Sequence, residues 1–132
     1  MVLGIIGLYY SSALFASHRA AIAIQVAAVL LMIAARITFG RRSFHAAANP
    51  TAGGIVSTGP YAYIRHPIYA AAIYFTWAGA LDHFSWPNVG WATLLTAGAL
   101  TRMVIEERML VARYPEYRAY MTRTRRVVPF VV

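Results

Sequence analysis

Residues 58–69 read TGPYAYIRHPIY, and the chain turns apolar directly afterwards, AAAIYFTWAGAL. Arg65, His66 and Pro67 therefore stand together at the threshold of a hydrophobic run. That is costly company for a guanidinium and an imidazole unless a partner meets them there. A second polar knot follows the next apolar run, with Arg102, Glu106, Glu107 and Arg108, then Tyr114, Tyr117, Tyr120 and a terminal set of arginines. An arginine fork matches a carboxylate, a carboxylate matches an ammonium, and tyrosine rings lie against a cation or a flat ring. If Glu106 and Glu107 share a helix they point about 100 degrees apart, so only one comfortably faces a given cleft. The other is left for Arg102, four residues before Glu106, or for Arg113. Taken singly, each of these groups is more often a plain interfacial anchor than a site. Their arrangement as an ordered set is what favours chemistry.

The elements that must position this set are read from the apolar windows between charges. The chain has 132 residues, 60% of them hydrophobic, against about 45–50% for a soluble domain of this size. Met1 to Ser17, Ala20 to Ala35, Ile68 to Leu81 and His83 to Thr101 carry no charge. A spanning helix asks for about 17–25 residues, and flanking arginines can snorkel outward to lengthen a short one. The fold expected is all-α, a polytopic membrane protein of one domain over residues 1–132. Four transmembrane helices are expected near 2–17, 20–39, 67–81 and 89–112, with a loop over 40–66 and a helical C-terminal segment over 113–132. Pro67 suits a first helical turn because its missing N–H would be unpaired there. The opening residues could pass for a signal-peptide core, but they lack its positive leading region and a second apolar run follows at once.

The basic residues set the sidedness. All 12 are arginine, and 11 of them fall within residues 36–65 and 102–126. By the positive-inside bias both termini, the 40–66 loop and the polar knots are expected on the cytoplasmic side. Arg41 and Arg42 fit lipid headgroups, and Gln25 fits an interhelical hydrogen bond. An all-arginine skew in an alanine-rich chain reflects genome composition and does not argue for nucleic acid. With no cysteine, disulfides and zinc thiolate sites are excluded. His18, His45, His66 and His83 are too dispersed for a metal site.

The order TGPYAYIRHPIY, a helical hairpin, EERML and YPEYRAYMTRTRRVVPFVV resembles the isoprenylcysteine carboxyl methyltransferase family. Phospholipid N-methyltransferases belong to the same broad group of integral membrane methyltransferases. The matching residues are Gly59, Pro60, Tyr61, Arg65, His66, Pro67, Tyr69, Glu106, Glu107, Leu110, Tyr117, Tyr120 and Pro129, and the resemblance covers roughly residues 55–132. Two positions depart from the pattern: Ala71 stands where many relatives have Gly, and Tyr114-Pro115 stands in place of Phe-Gly.

The resemblance implies transfer of a methyl group from S-adenosylmethionine to a lipidic or prenylated acceptor, leaving S-adenosylhomocysteine. It assigns the cofactor to Tyr61, Tyr63, Ile64, Arg65, His66, Pro67, Tyr69, Glu106, Glu107 and Leu110. Arg65 and Glu107 are implied as catalytic, and Arg102, Tyr117 and Tyr120 as substrate-binding. Arg65 would meet the methionine carboxylate, a glutamate the ammonium or ribose, and the start of the third helix would offer exposed backbone donors. The carboxylate of an isoprenylcysteine-like substrate is the favoured acceptor, a phospholipid amine the alternative. A carboxylate needs no base, whereas an amine needs Glu107 or His66 to take its proton. A non-catalytic lipid-binding scaffold is the competing reading. A proton-coupled exporter is disfavoured because no window holds Asp or Glu, and a reductase because the chain lacks the extra helices. Membrane lipids are the expected partners, and four short helices bury so little surface that a homodimer is accommodated.

Overall fold

The computed structural model describes residues 1–40 and 55–129. Over these the chain is helical: α1 Val2–Tyr10, α2 Arg19–Phe39, α3 Pro67–Asp82, α4 Trp86–Arg113 and α5 Tyr117–Arg123, with a 3-10 turn over Gly59–Ala62 leading into α3. Among the described residues the β structure amounts to a parallel bridge between Ile64 and Arg125. Arg41, Arg42 and His45 lie outside the described residues. α2 and α3 start where the sequence places them, whereas α4 begins at Trp86, three residues before the expected 89, because Ser85 caps it. Pro67 opens α3, and Ser85 caps α4 by accepting the Asn88 N–H at 3.3 Å, with Pro87 in the first turn.

α2 packs along α3, α3 along α4, and α1 along α4. The α1–α4 contact is backbone-close. A Cβ on Gly4 would stand 2.6 Å from the Trp91 carbonyl oxygen, so only glycine lets the two helices approach there. Ala13, Ala80, Ala92 and Leu8 fill the core at one end of the bundle. At the other, Ala70, Ala99 and Met103 are joined by Ile64 and by Val127 from the C-terminal segment.

The first helix stops at Tyr10, well short of the expected Ser17. The Ala13 N–H donates to the Leu8 carbonyl at 2.9 Å and the Ser12 N–H to the Tyr9 carbonyl at 3.0 Å, with Ser12 at φ 56°. This pair of bonds around a left-handed residue is a Schellman closure. Ser11 assists, its hydroxyl donating back to the Leu8 carbonyl at 3.2 Å. The released segment has carbonyls and amides to satisfy, and three side chains meet them, His83 Nε2 lying 3.0 Å from the Phe15 carbonyl. Gln25 donates to the carbonyls of Leu14 (2.8 Å) and Phe75 (3.1 Å) and accepts the Ala16 N–H at 3.0 Å. Asp82 accepts the Ser17 N–H at 2.6 Å and the Ser17 hydroxyl at 2.9 Å, and lies 2.7 Å from His18 Nδ1. Gln25 thus bridges helices as its sequence position suggests, but mostly by holding unwound backbone.

This shortening bears on the membrane. Among the described residues one helix, Arg19–Phe39, is long and apolar enough to cross a bilayer. The four spans expected from the charge-free windows are not met by length and composition. α1 has 9 residues and α3 has 16, where a hydrocarbon core asks for about 20. α4 has the length, at 28 residues, but its second half carries Arg102, Glu106, Glu107 and Arg108. Large apolar side chains nevertheless face outward on α1 and along all of α2, among them Leu3, Tyr10, Leu30 and Ile37.

Replacing Gln25 by leucine would strand the Leu14 carbonyl and the Ala16 amide, and should destabilise the protein by about 1–3 kcal/mol. A thermal melt in detergent checks this; a parent-like melting temperature would contradict the account of the hairpin.

Candidate active site

The approach to the site begins at Gly59, whose φ of 55° turns the chain beneath α2. A side chain there would be both strained and in the way, since its Cβ would stand 2.7 Å from Thr38 Oγ1. The turn buries Tyr61, whose ring lies 5.5 Å from that of Phe39. Residues 63–66 then run beside residues 125–126. The Arg125 N–H donates to the Tyr63 carbonyl at 3.1 Å, the Arg65 N–H to the Arg125 carbonyl at 2.6 Å, and the His66 N–H to the Arg126 carbonyl at 3.0 Å. The C-terminal segment is in this way strapped to the start of α3.

Side chains tighten the strap. Arg65 Nη1 donates to the carbonyls of Met121 (3.2 Å) and Thr124, Tyr74 donates its hydroxyl to the Val127 carbonyl, and Tyr120 to the Tyr61 carbonyl at 2.6 Å. The rings of Tyr117 and Tyr120 lie 5.5 Å apart. Burial raises the phenols of Tyr61 and Tyr117 above the ordinary tyrosine range and pushes Tyr120 up to about 12. All three therefore stay neutral.

Glu107 is the centre of the arrangement. Its side chain is 5% exposed. Oε1 accepts from Arg65 Nε at 2.8 Å and lies 3.2 Å from His66 Nε2, while Oε2 accepts from Arg126 Nε and Nη2, each at 3.0 Å. Glu106, next along α4, points elsewhere and is more open, its side chain 22% exposed. Its Oε1 accepts the Tyr69 hydroxyl at 2.5 Å and sits 3.7 Å from Arg102 Nη2, and its Oε2 is 3.8 Å from His66 Nδ1. Arg102 Nε in turn donates to the Tyr69 oxygen at 3.0 Å. The pairing of Glu106 with Arg102, one of the two options open in the sequence, is the one adopted.

Of the residues singled out in the sequence, Arg65, His66, Tyr69, Arg102, Glu106 and Glu107 form one connected polar cluster. Tyr61, Tyr117 and Tyr120 form the clasp beside it, with the Tyr120 hydroxyl engaged on backbone. Tyr63 stands apart, 61% exposed. Ile64 packs in the core with Met103 and Val127, and Leu110 sits half-buried one turn beyond, its carbonyl accepting the Tyr114 N–H at 2.8 Å. Pro67 is fully buried at the start of α3. Arg126 and Tyr74 escaped the sequence reading. The run TRTRR looks like a generic basic end, and only a buried carboxylate in need of a second guanidinium picks one arginine out of it.

The donor set suits a ligand of mixed charge. Glu106 and Tyr69 are its half-open members, His66, Arg65 and Glu107 its buried ones, and Arg126 covers Glu107 from the solvent side. The profile of the phospholipid methyltransferase family matches residues 19–117, from the start of α2 to the first residue of α5. The chain belongs to the phospholipid methyltransferase family. The matched range contains Arg65, His66, Tyr69, Arg102, Glu106 and Glu107 and ends before Tyr120 and Arg126. Neither a curated protein nor a solved structure matches the chain. The membership identifies the protein as a methyltransferase of the broad integral-membrane group, without singling out the isoprenylcysteine branch.

Removing the carboxylate from the centre of this methyltransferase would leave Arg65, almost fully buried, facing Arg126 uncompensated. Glu107→Ala should cost about 3–5 kcal/mol and loosen the strap. Limited trypsin digestion reads the strap directly: cleavage after Arg123 and Arg125 should precede cleavage in α2–α4. Unchanged resistance there would refute the strap's dependence on Glu107.

Proposed function

We propose that the protein methylates the amine of a membrane phospholipid, using S-adenosylmethionine, at the polar end of its helical bundle. The observation carrying the acceptor class is the commitment of Arg65 and Arg126 to Glu107. Both guanidinium groups nearest the centre are engaged within the protein, while half-open Glu106 presents a carboxylate beside the buried imidazole of His66. An acidic and basic pair of this kind favours an ammonium group over a carboxylate. The family match supports the same reading.

Bound there, S-adenosylmethionine supplies an electrophilic methyl group on a sulfonium. The residues fit that cofactor: Glu106 would hold its ammonium, and the Tyr69 ring suits a neighbouring cation. Arg102, half-exposed beside Glu106, would meet the phosphate of the lipid headgroup. His66 has the task an amine acceptor imposes. A carboxylate only accepts hydrogen bonds, so His66 Nε2 carries a proton toward Glu107 and the neutral ring has its lone pair on Nδ1. Nδ1 would take the proton of the acceptor ammonium, and Glu107 would stabilise the imidazolium formed. Arg65 and Glu107 then act by holding this geometry, in place of the direct cofactor contacts the resemblance implied. Alignment of the two reactants would supply much of the remaining acceleration.

In this reading residues 1–132 act as one unit, α1, α3 and α4 lie within the bilayer beside the spanning α2, and both termini and the site face the cytoplasm, as the arginine distribution suggests. A prenylated thiol carboxylate is the second reading, carried by the motif order from Gly59 to Pro129, and it requires no base.

The two separate on His66. Purified protein is supplied with methyl-labelled S-adenosylmethionine and either phosphatidylethanolamine vesicles or a farnesylated N-acetylcysteine. Label should enter the amine lipid, and His66→Gln should lower that rate by about 10²–10⁴-fold, the usual contribution of a general base. Label confined to the carboxylate acceptor, with His66→Gln little affected, would overturn the amine reading.

A further inference from the structure

We propose that Arg126 is a positioning residue of the active site: its side-chain fork and its backbone carbonyl together fix Glu107 and His66, so that the imidazole presents Nδ1 beside Glu106. The inference rests on the proposed role of His66. It concerns a residue beyond 117, where the family match ends.

Arg126 reaches His66 by two separate routes. Its carbonyl accepts the His66 backbone N–H at 3.0 Å, which sets where the base of the imidazole stands. Its guanidinium binds Glu107 Oε2 through Nε and Nη2, both at 3.0 Å. Two donors on one oxygen hold the carboxylate in place, and Oε1 is left to Arg65 Nε at 2.8 Å and His66 Nε2 at 3.2 Å. The ring is then locked with Nε2 inward. Arg126 is 40% exposed at its side chain, unlike Arg65 on the other oxygen at 8%. The guanidinium therefore closes the cluster from the solvent side and can be exchanged by mutation without opening a buried cavity.

The charge of Arg126 matters as well as its shape. The groups facing His66 are Glu106 and Glu107 from α4, Tyr69 from α3, Arg65 immediately before it and Arg126 from the strap. Removing Arg126 leaves the charge of Glu107 opposed by the Arg65 guanidinium alone and takes both donors from Oε2. A lysine retains the charge but loses the fork, so orientation suffers while the charge balance holds.

The experiment compares the parent, Arg126→Gln and Arg126→Lys in detergent by kcat and KM for methyl transfer to phosphatidylethanolamine and by the imidazole NMR signals assigned by their loss in His66→Gln. Arg126→Gln should lower kcat about tenfold with the KM for the cofactor within about twofold, and should displace or broaden the His66 ring signals as the ring loses its fixed orientation. Arg126→Lys should lower kcat several-fold. A folded Arg126→Gln with parental ring signals would overturn the proposal. If the ring signals move but kcat does not, the positioning stands and the base role of His66 falls. Should Arg126→Gln not fold, Arg126→Lys decides alone: parental kcat overturns the proposal, and lowered kcat with a parental KM supports it.

Discussion

A carboxylate buried at 5% side-chain exposure in a small helical bundle sets the terms for everything around it. Removing such a group from water costs several kcal/mol even after relaxation, and the cost is offset only when charges and hydrogen bonds of good geometry surround it. Glu107 meets the condition with donors from two distant stretches of chain, Arg65 and His66 before α3 and Arg126 after α5. Residues 63–66 and 125–126 are thereby drawn to the same place on α4 and find each other's backbone there. The strap, the buried Pro67 and the tyrosine clasp follow from that meeting.

The opposite end of the bundle repeats the logic with different groups. The Schellman closure at Ser12 frees a stretch of backbone that lipid could not satisfy, because unpaired amides and carbonyls are expensive away from water. Gln25 from α2, with Asp82 and His83 from the end of α3, satisfy it. Each end of the bundle is thus fixed by a polar side chain that gathers backbone from elsewhere, while the middle is packed with alanine, glycine, leucine and methionine. Apolar contact brings the helices together, and the polar groups at the ends determine their register.

How much of this can be read from the chain depends on the range of each signal. The starts of α2 and α3 are local, marked within a residue by a charge boundary and by Pro67; that of α4 is local too, but the Ser85 cap sits among turn residues and the expected start at 89 falls three residues late. The end of α1 is local too, but serine at a left-handed position is a weak mark, and Ser11-Ser12 reads as readily through as across. The membership of the site is legible from residue types and order, since arginine, histidine and adjacent glutamates at the ends of apolar runs are costly without a purpose. Which glutamate is buried is not, because that turns on Arg126, a partner 19 residues further on in a run of similar arginines. The apolar windows overstate the spans for a related reason: composition counts residues between charges, whereas crossing a bilayer needs them in one unbroken helix.

The adjacency of Glu106 and Glu107 then acquires a meaning. Side chains about 100 degrees apart on a helix cannot serve one ligand equally, and here they divide the work between building and meeting. Glu107 turns inward and spends both oxygens on the protein's own cations. Glu106 stays partly open, steadied by Tyr69 and Arg102. His66 touches both, its Nε2 3.2 Å from Glu107 and its Nδ1 3.8 Å from Glu106, so one ring joins the structural carboxylate to the available one. A group held in this way keeps its orientation without its second nitrogen being consumed, which is what the proposed proton transfer from an amine would require of it.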